Sequence, residues 1–149
     1  MNPILQGAII GAIGGLVGVL VINTSKKNKF SNIRKSVTDP NVEYMGDFHM
    51  ASANRWGKSM KFFDSFGALY LIGNMLYFKS SVNATPWVFN LKESTIQQEP
   101  NWRMLKWFSI TTPVGEKYYF NSYKMGAMKN NSDETYRAME IFQKKKASA

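Results

Sequence analysis

Two short apolar-aromatic runs, Leu69 to Ile72 and Met75 to Phe78, are separated only by Gly73 and Asn74. A two-residue hairpin turn needs positive φ, which Gly and Asn supply at little steric cost, so a tight β-hairpin is predicted here. Both runs are apolar on both faces. That places the hairpin inside a β structure rather than at its edge.

Other segments carry the same period. Trp87, Phe89 and Leu91 alternate with Val88, Asn90 and Lys92, the pattern of a half-buried strand. Val42 to Met50 reads as the first strand, and Ala51 to Phe66 as irregular. Pro100-Asn101 is expected to break the chain. Met104 to Thr112 and Lys117 to Tyr123 then form a second hairpin, with Pro113 and Gly115 marking its turn. Short strands at this spacing predict a small sandwich or barrel.

The last element is a helix of about fourteen residues. Asn131 or Ser132 caps it, and Asp133 and Glu134 sit in its first turn, where the helix dipole favours anions. Thr135, Ala138, Met139 and Phe142 share one face, and Lys144 to Lys146 close the positive end. Such a helix is expected to plug one open end of the barrel.

At the other end of the chain, Ile4 to Ile22 carries no charge and only Gln6 as a polar side chain. As a helix it would span roughly 28 Å, enough to cross a bilayer core. A retained transmembrane helix fits best. A cleaved leader, which normally has a basic n-region, and a buried or interfacial helix are the alternatives. Gly7, Gly11, Gly14 and Gly18 fall on one helical face and suit close approach of a second helix, in a homo-oligomer or with a membrane-protein partner.

The net charge is +9. Lys26, Lys27, Lys29, Arg34 and Lys35 follow the apolar stretch with no acid among them, and three lysines lie in the tail. Residues 37–143 hold eleven basic and ten acidic residues. The near-neutral middle argues against a nucleic-acid groove, and the basic flanks suit an anionic membrane surface. The positive-inside rule orients the chain N-terminus out, with its larger part cytoplasmic.

The residue inventory gives little for catalysis. There is no cysteine, and His49 is the single histidine. Asp47 and Asp64 lie in a predicted strand and loop and make a weak carboxylate pair. No phosphate loop or zinc spacing occurs. No catalytic residue, metal or cofactor is expected. Arg55, Lys58 and Lys61 are interleaved with Trp56, Phe62 and Phe63. Basic residues among aromatics suit lipid headgroups at an interface, and aromatics also serve as plugs over a barrel end.

The run Ala53-Asn-Arg-Trp56 followed by Gly67-Ala-Leu-Tyr-Leu-Ile-Gly-Asn-Met-Leu-Tyr-Phe-Lys-Ser80 resembles a GRAM-like domain of the bacterial type, within the pleckstrin-homology superfold. Phe89 to Ile96 and Ile110-Thr-Thr-Pro-Val-Gly-Glu-Lys-Tyr-Tyr-Phe120 are similar to further parts of that pattern. Ile72 departs from its usual threonine, Ser94-Thr95 interrupts the acidic turn, and no clean phosphoinositide motif follows Lys58 and Lys61. The resemblance implies a mainly-β fold, a small barrel of two antiparallel sheets capped by a C-terminal helix. It also implies lipid or peptide binding without catalysis.

The expected organisation is a transmembrane helix at 1–22, a basic juxtamembrane linker at 23–42, the domain at 43–143 and a basic tail at 144–149. The linker reads as a tether with little regular structure that can partly pack. Headgroup contact is expected from Arg55, Lys58, Lys61 and Lys79, with the basic cluster after the helix as a nonspecific anchor. The other reading is a small assembly subunit held in a membrane complex through its glycine face.

Overall fold

A computed structural model describes residues 25, 27–58, 63–122, 125–126, 129–130 and 133–149. The transmembrane expectation and its glycine face lie outside these residues, as do Lys26, Lys61, Phe62 and the predicted helix caps Asn131 and Ser132. Among the described residues no helix is long and apolar enough to cross a membrane.

A helix, α1, occupies residues 27–35. It is followed by β1 (Tyr44–Ser52), β2 (Ser65–Ile72), β3 (Met75–Ser80), β4 (Trp87–Asn90), β5 (Thr95–Trp102), β6 (Leu105–Thr111) and β7 (Lys117–Ser122). A two-stranded ribbon, β8 (Met125–Gly126) and β9 (Lys129–Asn130), leads to the helix α2 (Asp133–Ala147).

The seven main strands form one antiparallel sheet in the order β4-β3-β2-β1-β7-β6-β5. This corrects the expectation of two sheets. β1 pairs with β2 and with β7 through the same residues, Phe48, His49 and Met50, so its two halves are one hydrogen-bonded surface. The sheet curls around Phe48, Leu69, Leu71, Leu76, Phe78, Phe89, Phe108, Ile110 and Phe120. Its ends, β4 and β5, do not pair, and the result is a half-barrel.

The predicted hairpin is β2–β3, with Ile72 opposite Met75, and both strands are interior. Gly73 has φ +56 and Asn74 is not in the positive-φ region, the signature of a II′ turn. The C-terminal helix also buries the expected face, Thr135, Ala138, Met139 and Phe142. It covers the end of the half-barrel where β1 begins and β7 finishes. Tyr44 donates to Glu134 at 2.9 Å, and the Ser122 amide donates to Thr135 Oγ1 at 2.9 Å.

Pro100 and Asn101 do not break the chain. They lie within β5, an edge strand with a register shift between Glu99 and Trp102, where a missing N–H is tolerated. β5 then turns into β6 through Arg103 and Met104, with φ of 52 and 62. Both central residues are left-handed, as in a I′ turn, yet neither is Gly or Asn. Replacing them with Asn-Gly is expected to stabilise the fold by about 1 kcal/mol. That is the relief of strain less the loss of the Arg103 guanidinium, which lies 5.3 Å from the Trp102 ring centre. Thermal unfolding of the two proteins side by side measures it.

The outer face of the sheet is covered as well. Trp56 stacks on Tyr119 at 4.3 Å and joins Trp102, Leu105, Trp107 and Ala51 in a second cluster. The segment 23–42 has more regular structure than expected, because residues 27–35 form α1, which also packs on the domain. Phe30, 4% exposed, packs on Phe66 at 4.9 Å, and Arg34 Nε meets Asp47 at 2.6 Å. Phe30 and Ile33 stand three residues apart, a helical spacing, which is the signal in the sequence for this helix.

Candidate functional site

The end of the half-barrel opposite α2 is formed where β1 finishes, β2 starts, β3 finishes and β7 starts. Three connections project there: residues 53–64, 81–86 and 112–116. The headgroup candidates among the described residues, Arg55, Lys58 and Lys79, belong to this end, but the structure gives them different roles.

Arg55 is a loop pin. Its Nε meets Asp64 Oδ1 at 2.6 Å, while Asp64 Oδ2 accepts from the Ser52 amide at 2.6 Å. The Asp64 amide in turn donates to Met50 O at 2.8 Å. This clamp closes the base of the β1–β2 connection, beside an open pocket of about 160 Å³ lined by Ser52, Asn54, Arg55 and Asp64. Lys58 is exposed. Lys79 is half-buried on the outer face, and its Nζ reaches Ser36 O at 3.4 Å. Arg55 and Lys58 share one loop turn, where the Lys58 amide donates to Arg55 O at 3.2 Å, whereas Lys79 reaches toward Ser36. Of the basic cluster after the apolar stretch, Lys27, Lys29 and Lys35 are exposed on α1, whereas Arg34 is held by Asp47.

The two described aromatics interleaved with these cations, Trp56 and Phe63, lie against the sheet rather than in the barrel mouth. Trp56 lies on Tyr119, and Phe63 stacks on His49 at 4.0 Å with the rings 8° from parallel. They cover the outer face of the sheet. His49 is thereby buried, and Asp47 and Asp64 are each taken by a separate arginine, so they do not form a carboxylate pair. Among the described residues no group of three metal-ligating side chains occurs.

Sequence reasoning missed two apolar tips. Val82 in the β3–β4 connection is 77% exposed and Val114 in the β6–β7 connection is 82% exposed. Each is a lone valine among turn residues, Ser80-Ser-Val-Asn83 and Pro113-Val-Gly115, which is the signal that would find them.

A polar cluster on the outer face of β5, β6 and β7 was also not foreseen. Glu99, 7% exposed, accepts from Lys117 Nζ and Ser109 Oγ at 2.6 Å and from Gln97 Nε2 at 2.8 Å. Burial pushes the Glu99 carboxyl up, but the bonds from Lys117, Ser109 and Gln97 outweigh it and leave it below its ordinary value of 4.5. Burial lowers Lys117, and Glu99 more than restores it, to above its ordinary 10.5. A depressed carboxyl contributes stability above its unfolded pKa and loses it as pH falls through the folded value. The raised Lys117 contributes below about pH 10.5 and loses that contribution above it. Glu99→Gln is therefore expected to cost about 1–2 kcal/mol at pH 7 and to flatten the loss of stability below about pH 4. Urea unfolding of both proteins from pH 3 to 7 reads this directly.

Neither a family model nor a curated protein matches the sequence. Among solved structures, the chain is similar to the C-terminal domain of an unknown protein from Leishmania infantum, at 15% identity and a TM-score of 0.45. That alignment covers 82% of this chain and 98% of the other. It is also similar to the pleckstrin homology domain of ArhGAP27, at 17% identity and a TM-score of 0.45, covering 66% of this chain and 96% of that one.

Proposed function

We propose that this chain is a membrane-anchored, non-catalytic binding module of pleckstrin-homology and GRAM-like character, recognising lipid headgroups or a protein partner at the cytoplasmic membrane face. The observation that carries this reading is the docking of a basic helix onto a β domain directly after an apolar stretch. α1 places Lys27, Lys29 and Lys35 in solvent, with Lys27 and Lys29 toward the end of the half-barrel that bears Lys58 and the two valine tips. Exposed lysines attract anionic headgroups, at about 1 kcal/mol each near the surface. The single curled sheet closed by α2, together with the sequence patterns at Gly67–Ser80 and Ile110–Phe120, supports the PH-like part of the reading.

Flotation on vesicles tests it. A fragment starting at residue 37 would strip α1 and uncover Phe66, so the fragment should begin at residue 24. Residues 24–149 are expected to float with anionic or phosphoinositide-containing vesicles and not with neutral ones. Changing Lys58 and Lys61 to alanine should weaken that flotation. No flotation in any mixture would remove lipid recognition and leave a protein partner. The second reading is an assembly subunit, favoured by the spacing of Gly7, Gly11, Gly14 and Gly18. In that case only the full chain would co-purify with other membrane proteins.

A further inference from the structure

α1 and β2 advance in step along the outer face. Phe30 packs on Phe66, the second residue of β2. Arg34 meets Asp47, and Lys79 reaches the Ser36 carbonyl; Asp47 and Lys79 are both register partners of Ala68. Farther on, the Glu43 amide donates to Leu71 O at 2.9 Å. Four helical residues rise about 6 Å and two strand residues about 6.6 Å, so α1 runs parallel to β2. The N-terminal end of α1 therefore faces the end of the half-barrel opposite α2.

At that end the β3–β4 turn is the neighbour of the helix. The Ser81 amide donates to Phe66 O at 3.0 Å, so the turn is bonded to the residue on which Phe30 packs. Val82, the next residue, is the exposed apolar tip of the turn. Ile22, the last residue of the apolar stretch, precedes Phe30 by eight positions. Residues 27–30 already belong to α1, so only the five steps from Ile22 to Lys27 can extend, to at most about 18 Å.

We propose that α1 is a bracket that fixes the domain's orientation, with the β3–β4 turn and Val82 held against the bilayer surface and α2 on the side away from it. The inference rests on the membrane-anchored reading above. The occupant of the turn is a phospholipid bilayer. In the sequence the apolar stretch ends a few residues before α1, Lys27 and Lys29 lie at the end of α1 nearest the turn, and a lone valine flanked by serines and asparagine suits the boundary between headgroups and acyl chains. A tether over 23–42 would let the domain tumble, whereas contacts at Phe30, Arg34 and Ser36 leave only the few residues before α1 as a lever.

The chain has no cysteine, so single-cysteine labelling is unambiguous. Full-length Val82→Cys and Glu140→Cys, the latter on an exposed position of α2, are labelled with an environment-sensitive fluorophore. Both are reconstituted in phosphatidylcholine–phosphatidylglycerol vesicles that carry headgroup spin labels. Strong quenching at position 82 and little at position 140 is the expected result. Adding Phe30→Ala, or the milder Asp47→Ala if the first fails to fold, should release the bracket and bring quenching at 82 toward that at 140. Equal quenching at the two positions would overturn the proposal, as would quenching at 82 that survives release in a variant with native circular dichroism. Flotation in alkaline carbonate separates the two levels. A chain that leaves the vesicles overturns the membrane-anchored reading and the bracket together, while one that stays but shows equal quenching overturns the bracket alone.

Discussion

Gly67→Ala is expected to lower the unfolding temperature by about 15 °C, a loss on the order of 3 kcal/mol in a domain of this size. At Gly67 the backbones of β2 and β3 approach so closely that a side chain has no space. A Cβ built there would overlap the Lys79 carbonyl and lie 2.7 Å from Ser80 Cα. Both are backbone atoms in a paired strand, with Gly67 opposite Ser80, so no rotamer change relieves the clash. The two strands would have to part, and overpacking of this kind sits at the costly end of its range. Thermal unfolding of the full chain in mild detergent measures the effect. An unfolding temperature within a few degrees of the native chain would show that the β2–β3 ladder yields more easily than its geometry implies.

Phe142→Ala is the second large effect, with an expected cost of about 3–5 kcal/mol. Phe142 is fully buried, edge-on to Tyr44 at 5.3 Å and to Phe108 at 6.0 Å, and it joins α2 to both β1 and β6. Thr135, Ala138 and Met139 share its buried face, and the ion pairs of α2 lie at its rim. Lys145 pairs with Glu43 and Lys106 with Asp133, where one partner of each pair is well exposed, and such pairs contribute about 0–1 kcal/mol each. Removing the ring takes away the largest buried side chain of α2 and leaves a cavity between the helix, β1 and β6. Urea unfolding of the same preparation, with Phe142→Leu as a milder companion, reads the difference. A loss below about 1 kcal/mol would mean that the rim pairs hold the helix.

The parts of this fold legible in the sequence are those whose local chemistry agrees with their tertiary place. The Gly73-Asn74 turn lies between two apolar runs, and the face Thr135, Ala138, Met139 and Phe142 has strict helical spacing. Both announce themselves. β5 does not, because Gln97, Gln98, Glu99 and Pro100 carry neither apolar alternation nor β propensity; pairing with β6 makes it a strand. The Arg103-Met104 turn is invisible for the same reason, since its left-handed backbone is imposed by the hairpin on residues that disfavour it. α1 is masked by a polar composition in which Phe30 is the one buried apolar side chain.

The candidate site was less legible still. Basic residues can be counted from a sequence, but their partners cannot. Arg55 is engaged by Asp64, nine residues away, and Arg34 by Asp47, thirteen residues away. Both look available in one dimension and are occupied in three.

The double pairing of β1 has a further consequence, for the order in which the chain folds. Its edge toward β2 is satisfied by local hairpin contacts as soon as residue 72 is made. Its other edge needs Tyr118 to Ser122, some seventy residues later. During synthesis β1 to β4 can form as a meander of neighbouring strands while the second edge of β1 stays open. Closing it requires a long loop and a strand from the last quarter of the chain, the slow kind of step in a β topology. Folding is therefore expected to proceed in two stages, with an aggregation-prone open edge between them, and mutations in β7 should slow the second stage more than the first.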